Sequence, residues 1–135
     1  FTSSDYISNY KSRNLRFWNL MNSIGSKDFK NSIYIINALV TNGFTIVPII
    51  SSLSIFYIAM LDSYYTNNIN NNFRLNNTIK TRMKTYKSNY SFDEISNIII
   101  ELKNIDVIIK SASFDATLMV HPFIMKVCKG YYDAK

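Results

Sequence analysis

"NGFTIVPIISSLSIFYIAMLDSYY", residues 42–65, decides the fold. It belongs to a run from Asn31 to Leu61 with no Lys, Arg, Asp or Glu, longer than the ~20 residues a membrane-spanning helix needs. Two readings compete: a span through residues 44–61, or the buried middle helix of a bundle. At ~100° per residue, Ile46, Ile49, Leu53, Phe56 and Met60 fall in one stripe and Ser51, Ser52 and Ser54 on the other half. Lipid surrounds a span on every side and gives no reason for such a division. Val47, Ile55 and Ile58 sit among the serines, so the second face is partly apolar too, as in a central bundle helix. No Lys or Arg cluster flanks the segment to orient it. The expectation is a buried helix, with Pro48 near its start, where the first N–H groups lack intrahelical acceptors.

Outward from that segment, helical periods continue. "LRFWNLMNSI" (15–24) places Phe17, Leu20, Met21 and Ile24 at three- and four-residue steps. Gly25 is expected as a left-handed cap and Ser26 as the cap of the next helix, with Asp28 in its first turn. That helix carries Phe29, Ile33, Ile36, Leu39 and Val40 on one side and closes at Gly43. Beyond Tyr65, "TNNINNNFRLNN" has no period and reads as a loop. Asn77–Lys87 forms a fourth helix on Ile79, Met83 and Tyr86. "SFDE" (91–94) has capping-box spacing. It opens a fifth helix on Ile95, Ile98, Ile99, Leu102, Ile105 and Ile109, with Glu94, Glu101, Lys103, Asp106 and Lys110 largely elsewhere. A sixth starts near Asp115 and runs through Leu118, Met119, Phe123, Ile124 and Val127. Pro122 within it predicts a bend or two short pieces. The fold class is all-α, a bundle of five to six helices over residues 15–130, with 1–14 as a linker and 131–135 as a tail.

Composition narrows function. The chain of 135 residues fits one domain. It begins at Phe1 without methionine, so a piece of a longer protein is expected, and with no secretory signal visible in its first 30 residues the expected compartment is the cytoplasm. With one cysteine (Cys128) and one histidine (His121), no disulfide, zinc site or histidine-based dyad can be assembled. Catalytic residues, cofactors and metals are therefore all expected to be none. His121 reads as structural and Cys128 as a small core residue. The 20 Ile, 17 Asn, 11 Lys and 10 Tyr against 5 Ala and no Gln look like codon choice in an AT-rich genome. The net charge of +6 would suit an acidic partner, though the same codon bias explains the lysines.

Taken in order, "DYISNYKSRNLRFWNLMNSIGSKDFKNSIYIINALVTNG" (5–43), "VPIISSLSIFYIAML" (47–61) and "FRLNNTIKTRMKTYKSNYSFDEISNIIIELKNIDVIIKSASFD" (73–115) resemble the C-terminal domain of the delta subunit of bacterial DNA polymerase III. The likeness covers nearly the whole chain. It departs from the family where "RLNNTIK" replaces a short apolar-His-Pro-Phe-like opening of the fourth helix; the "HPF" of residues 121–123 lies in the last helix and is not that segment. The resemblance implies a collar domain of the clamp loader. Such a domain holds a hetero-oligomeric ring of loader subunits together during DNA replication and does no chemistry of its own. The parent would be a subunit of a DNA-directed DNA polymerase (nucleotidyltransferase) holoenzyme. The sliding clamp would be reached only through N-terminal ATPase-like parts, DNA weakly or indirectly, and no membrane.

On that reading, apolar residues off the main stripes and aromatic residues are the candidate subunit interface: Ile55, Ile58, Tyr64, Tyr65, Tyr86, Tyr90, Ile100 and Ile108. Extra isoleucines filling a thick core, and tyrosines edging the bundle, explain the same pattern. No acid occurs between Arg74 and Asp93. Within this stretch, which also holds Arg82, Lys80, Lys84 and Lys87 share one side of a helix and form a candidate phosphate contact or a solvated face. The rival functions are a membrane-associated protein using residues 44–61 and a free-standing nucleic-acid-binding module on Lys80–Lys87.

Overall fold

Helices and their caps account for every regular element among the described residues, which in this computed structural model are 15–66, 75–111 and 117–133. The order is α1 (Phe17–Gly25), α2 (Phe29–Thr41), α3 (Ile46–Asp62), α4 (Asn77–Lys87), α5 (Phe92–Ser111) and α6 (Thr117–Cys128). No strand occurs among them, so the chain is an all-α bundle. Arg74, Asp115, residues 1–14 and most of the polar run after Tyr65 lie outside the described residues.

The uncharged run is divided by a turn. Gly43 adopts φ +100°, Phe44 N–H donates to the Leu39 carbonyl at 3.0 Å and Gly43 N–H to that of Val40 at 3.1 Å. These paired bonds end α2 in a Schellman cap that favours glycine. What remains, α3, has 17 residues, about 25 Å at the helical rise. No helix among the described residues is long and apolar enough to cross a membrane, so the span through residues 44–61 is set aside. The stripe of Ile46, Ile49, Leu53, Phe56 and Met60 is buried as expected, joined by Ile50, Tyr57 and Ala59. Ser52 is also buried, contrary to its expected outward half. Its hydroxyl donates to the Ile49 carbonyl at 2.7 Å and so needs no water.

The longest helix, α5, packs along α3 in the most extensive pairing of the bundle. Ile95, Ile98, Leu102 and Ile105 are buried, with Ile99 and Ile109 half-buried against the core. Short α1 is the hub of the other side and meets α2, α3, α4 and α6. On α4 the buried set is Ile79, Met83 and Tyr86, the register expected.

Four further details differ from the sequence reading. Gly25 is the last residue of α1 and buried, and the left-handed position falls on Lys27 at φ 57°. There Lys27 N–H donates to the Ile24 carbonyl at 2.9 Å and Asp28 N–H to that of Ser23 at 3.1 Å. Asp28, not Ser26, caps α2, its carboxylate accepting from Asn31 N–H at 3.2 Å. On α2 the buried side is Ser32, Ile35, Ile36, Ala38 and Leu39, while Phe29 and Val40 are exposed. Finally, α6 runs through Pro122 as one helix, with Leu118 exposed and Val120 buried. Pro122 is itself exposed, on the side where water can reach the Leu118 carbonyl that proline deprives of a donor.

Candidate functional site

Two groups of residues go beyond simple core filling. The first is polar and buried, where the α1–α2 turn meets the α4–α5 turn. The capping box forms as expected: Ser91 Oγ accepts from Glu94 N–H at 3.0 Å, and Glu94 Oε1 accepts from Ser91 N–H at 3.2 Å. Glu94 is nonetheless only 2% exposed, because its other oxygen accepts from Lys27 Nζ at 2.7 Å. The ammonium lies 4.6 Å from the centre of the Tyr90 ring. A lysine in left-handed backbone costs roughly 1 kcal/mol, and this charged pairing explains why lysine stands there.

Beneath the ion pair, Tyr90 donates its hydroxyl proton to the Ile24 carbonyl. That leaves Tyr57 as the donor to Tyr90 Oη across 2.9 Å. Asn89 Nδ2 donates to the Gly25 carbonyl at 2.9 Å. Of the last carbonyls of α1, unpaired in any isolated helix, that of Gly25 is thus satisfied, and that of Ile24 gains a second donor, from residues more than 60 positions away. Asp133 accepts from Ser91 Oγ at 2.7 Å and Asn97 Nδ2 donates to the Tyr132 carbonyl at 2.9 Å, which docks residues 131–133 on the start of α5.

Chemically this end is quiet. Burial pushes the Tyr57 and Tyr90 phenols well above their usual range, and burial with the neighbouring Asp28 carboxylate pushes the Cys128 thiol up to about 11. All three are held in the neutral form, opposite to what a nucleophile requires. Among the described residues no three of His, Cys, Asp and Glu gather as metal ligands. His121 Nε2 faces Asn37 Oδ1 at 3.1 Å on the surface.

The second group is apolar and exposed. On α5, Ile100 and Val107 are 58% and 59% exposed. Seven residues apart, they share the side of the helix directly opposite Ile98, Leu102 and Ile105. Ile55 and Ile58 of α3 are also exposed. With Ile99 they line a shallow groove of about 330 Å³ between α3 and α5, edged by Lys103 and Asp106. Ile108 is exposed too, but about 140° around α5 from Lys103, so it does not join that groove.

The eight interface candidates therefore divide. Tyr64 and Tyr65 are exposed, their rings meeting Phe92 edge-on at 5.3 and 6.2 Å. Tyr86 and Tyr90 are a correction: at 2% and 6% exposure they belong to the core. Tyr86 packs edge-on against Phe56 at 5.5 Å and donates to Asn22 Oδ1 at 2.6 Å, so its hydroxyl needs no solvent. The lysine row divides as well. Lys84 is exposed and Lys80 half-buried. Lys87 is engaged, donating to the Ser63 carbonyl at 3.2 Å and lying 4.3 Å over the Tyr64 ring. It closes the end of α3 rather than offering a free charge. Arg82 donates to Asn22 Oδ1 at 3.0 Å. Periodicity missed Val107 as an outward apolar residue, although its seven-residue step from Ile100 was there to be read.

No family model matches the chain, no curated protein matches it significantly, and no solved structure does so either.

Proposed function

We propose that this chain is a subunit-association domain: the collar of a DNA polymerase III delta subunit, holding the clamp-loader ring together in bacterial DNA replication. The observation that carries the reading is the apolar pair Ile100 and Val107 on the face of α5 turned away from its own core. A helix that serves one core alone is polar on that side. Ile55 and Ile58 on α3 add to the apolar surface, and a stable interface needs about 800 Å² on each partner. Family membership rests on the sequence resemblance alone, whereas the association role has this second support. Lys84 and Lys80 are left as the part of the basic row available to DNA, a weak and secondary contact.

Reconstitution tests the proposal. The chain, joined to its own N-terminal modules and mixed with the remaining loader subunits of the same bacterium, is expected to co-elute as one complex. Ile100→Asp with Val107→Asp should remove it from that complex while its thermal melt stays unchanged, since neither side chain is buried within the chain. Truncating most interface residues costs less than ~1 kcal/mol, so aspartates, which are costly to bury without a partner, are used in place of alanines. Co-elution unaffected by the double substitution would reject the α5 face as the contact.

A further inference from the structure

A larger concavity lies beside the groove just described, between α1 and the first half of α3. It measures about 740 Å³, within the roughly 300–1,000 Å³ of small-molecule sites. Phe17 and Trp18 of α1, Phe44 of the α2–α3 turn, and Val47, Pro48 and Ile55 of α3 supply its apolar wall. The Phe17 and Phe44 rings meet edge-on at 5.1 Å.

Among the described residues lining the concavity, Arg16 alone is charged. It donates one guanidinium nitrogen to the Leu15 carbonyl at 3.0 Å. Neither ion pair among the described residues involves it. Its polar neighbours are already engaged or uncharged: Ser52 Oγ bonds the Ile49 carbonyl and Asn76 Oδ1 accepts from Thr78 N–H at 2.7 Å. An apolar trough whose lining includes a cation outside both ion pairs of the described residues complements a molecule with a long apolar body and one anionic end, and a guanidinium fork matches a carboxylate in geometry as well as charge.

We infer that this concavity binds a long-chain carboxylate, with the acyl chain along Trp18, Phe44, Val47 and Ile55 and the carboxylate at Arg16. The assignment does not rest on the collar reading, although Ile55 lines both this site and the apolar surface proposed for association. The ligand is a free fatty acid, because an acyl chain esterified in a phospholipid has no carboxylate to offer Arg16.

Trp18 is the only tryptophan, so its emission reports the site directly. Dodecanoate below its micellar concentration is titrated into the intact 135-residue chain. The expected result is a saturable change in Trp18 emission that tightens about fourfold for each methylene added to the acid. Arg16→Gln should weaken dodecanoate at least tenfold and leave dodecanol unchanged. Ser51→Phe, which fills the trough from an exposed position of α3, should abolish both while the circular dichroism stays helical. Ile55→Phe serves the same purpose if that variant does not fold. A parallel titration with phosphatidylglycerol vesicles, whose acyl chains carry no carboxylate, is expected to give a weaker response, and a stronger response to vesicles than to the acid would overturn the assignment. Unchanged Trp18 emission with dodecanoate, equal affinity for acid and alcohol, or undiminished binding by the filled variants would each overturn the assignment.

Discussion

The seam between α3 and α5 and the end of the bundle where the α1–α2 turn meets the α4–α5 turn are both buried, yet opposite materials build them. Leu53, Phe56, Ile98 and Leu102 join the seam through contacts without direction, and shape and water exclusion supply its strength. At the end, Lys27, Glu94, Tyr90, Tyr57 and Asn89 join through hydrogen bonds, each with one permitted partner. The seam is the most extensive helix pairing of the bundle. The end chooses which turn lies on which, because a buried carboxylate or phenol left without its partner keeps its desolvation cost uncompensated.

If that contrast holds, the seam should lose the most when emptied and the least when reshaped. Leu53→Ala is expected to cost ~2–5 kcal/mol, and Leu53→Met less than ~1.5 kcal/mol, both read as shifts of the urea midpoint. A Met variant as unstable as the Ala variant would show that the seam has a fit as demanding as the polar end.

The polar end should behave the other way, tolerating neither shape nor charge changes. Glu94→Ala should cost about 3 kcal/mol, the lower part of the range for breaking a buried pair, because Lys27 keeps 21% exposure and can partly rehydrate. Lys27→Met placed on top of Glu94→Ala should recover part of the loss by removing the stranded cation. No recovery in the double variant would mean that the capping contacts of Glu94, rather than the ion pair, carry the effect.

The smallest effect concerns alkaline pH. The Cys128 thiol is raised from 9.0 to about 11, so the folded chain holds that proton more tightly than the unfolded chain. Its contribution to stability is complete below pH 9 and disappears as the pH climbs through 11. Tyr57 and Tyr90, raised further by burial, extend the decline upward. Urea midpoints between pH 9 and 11 should fall less steeply for Cys128→Ala. An unchanged slope would assign the whole alkaline loss to the phenols, which include Tyr86 and Tyr132, both also raised by burial.

The contrast also explains what could be read in advance. The stripes of α3 and α5, the register of α4 and the capping box at Ser91 are local patterns, set by spacings of three and four residues. They are found where those spacings place them. Glu94 looked like a solvent residue because its partner Lys27 is 67 positions away. Tyr86 and Tyr90 looked like surface anchors because their acceptors, Asn22 and the Ile24 carbonyl, are equally remote. The left-handed turn was assigned to Gly25 because glycine is the usual occupant, whereas a long-range ion pair holds lysine there. The apolar concavity had no local signal, since three separate segments form it.

Gly25 itself serves a different purpose. A methyl group built on its Cα would stand 2.6 Å from Cδ1 of the Tyr86 ring, closer than carbon atoms approach without displacement. Sites 25 and 86 should therefore change together during descent. A lineage that acquires alanine at 25 must already have traded the aromatic ring for something slimmer, and one that keeps the ring has no freedom at the glycine. An alignment of true relatives would display this as paired substitution, offering a way to recognise distant kin whose helices have otherwise drifted beyond comparison.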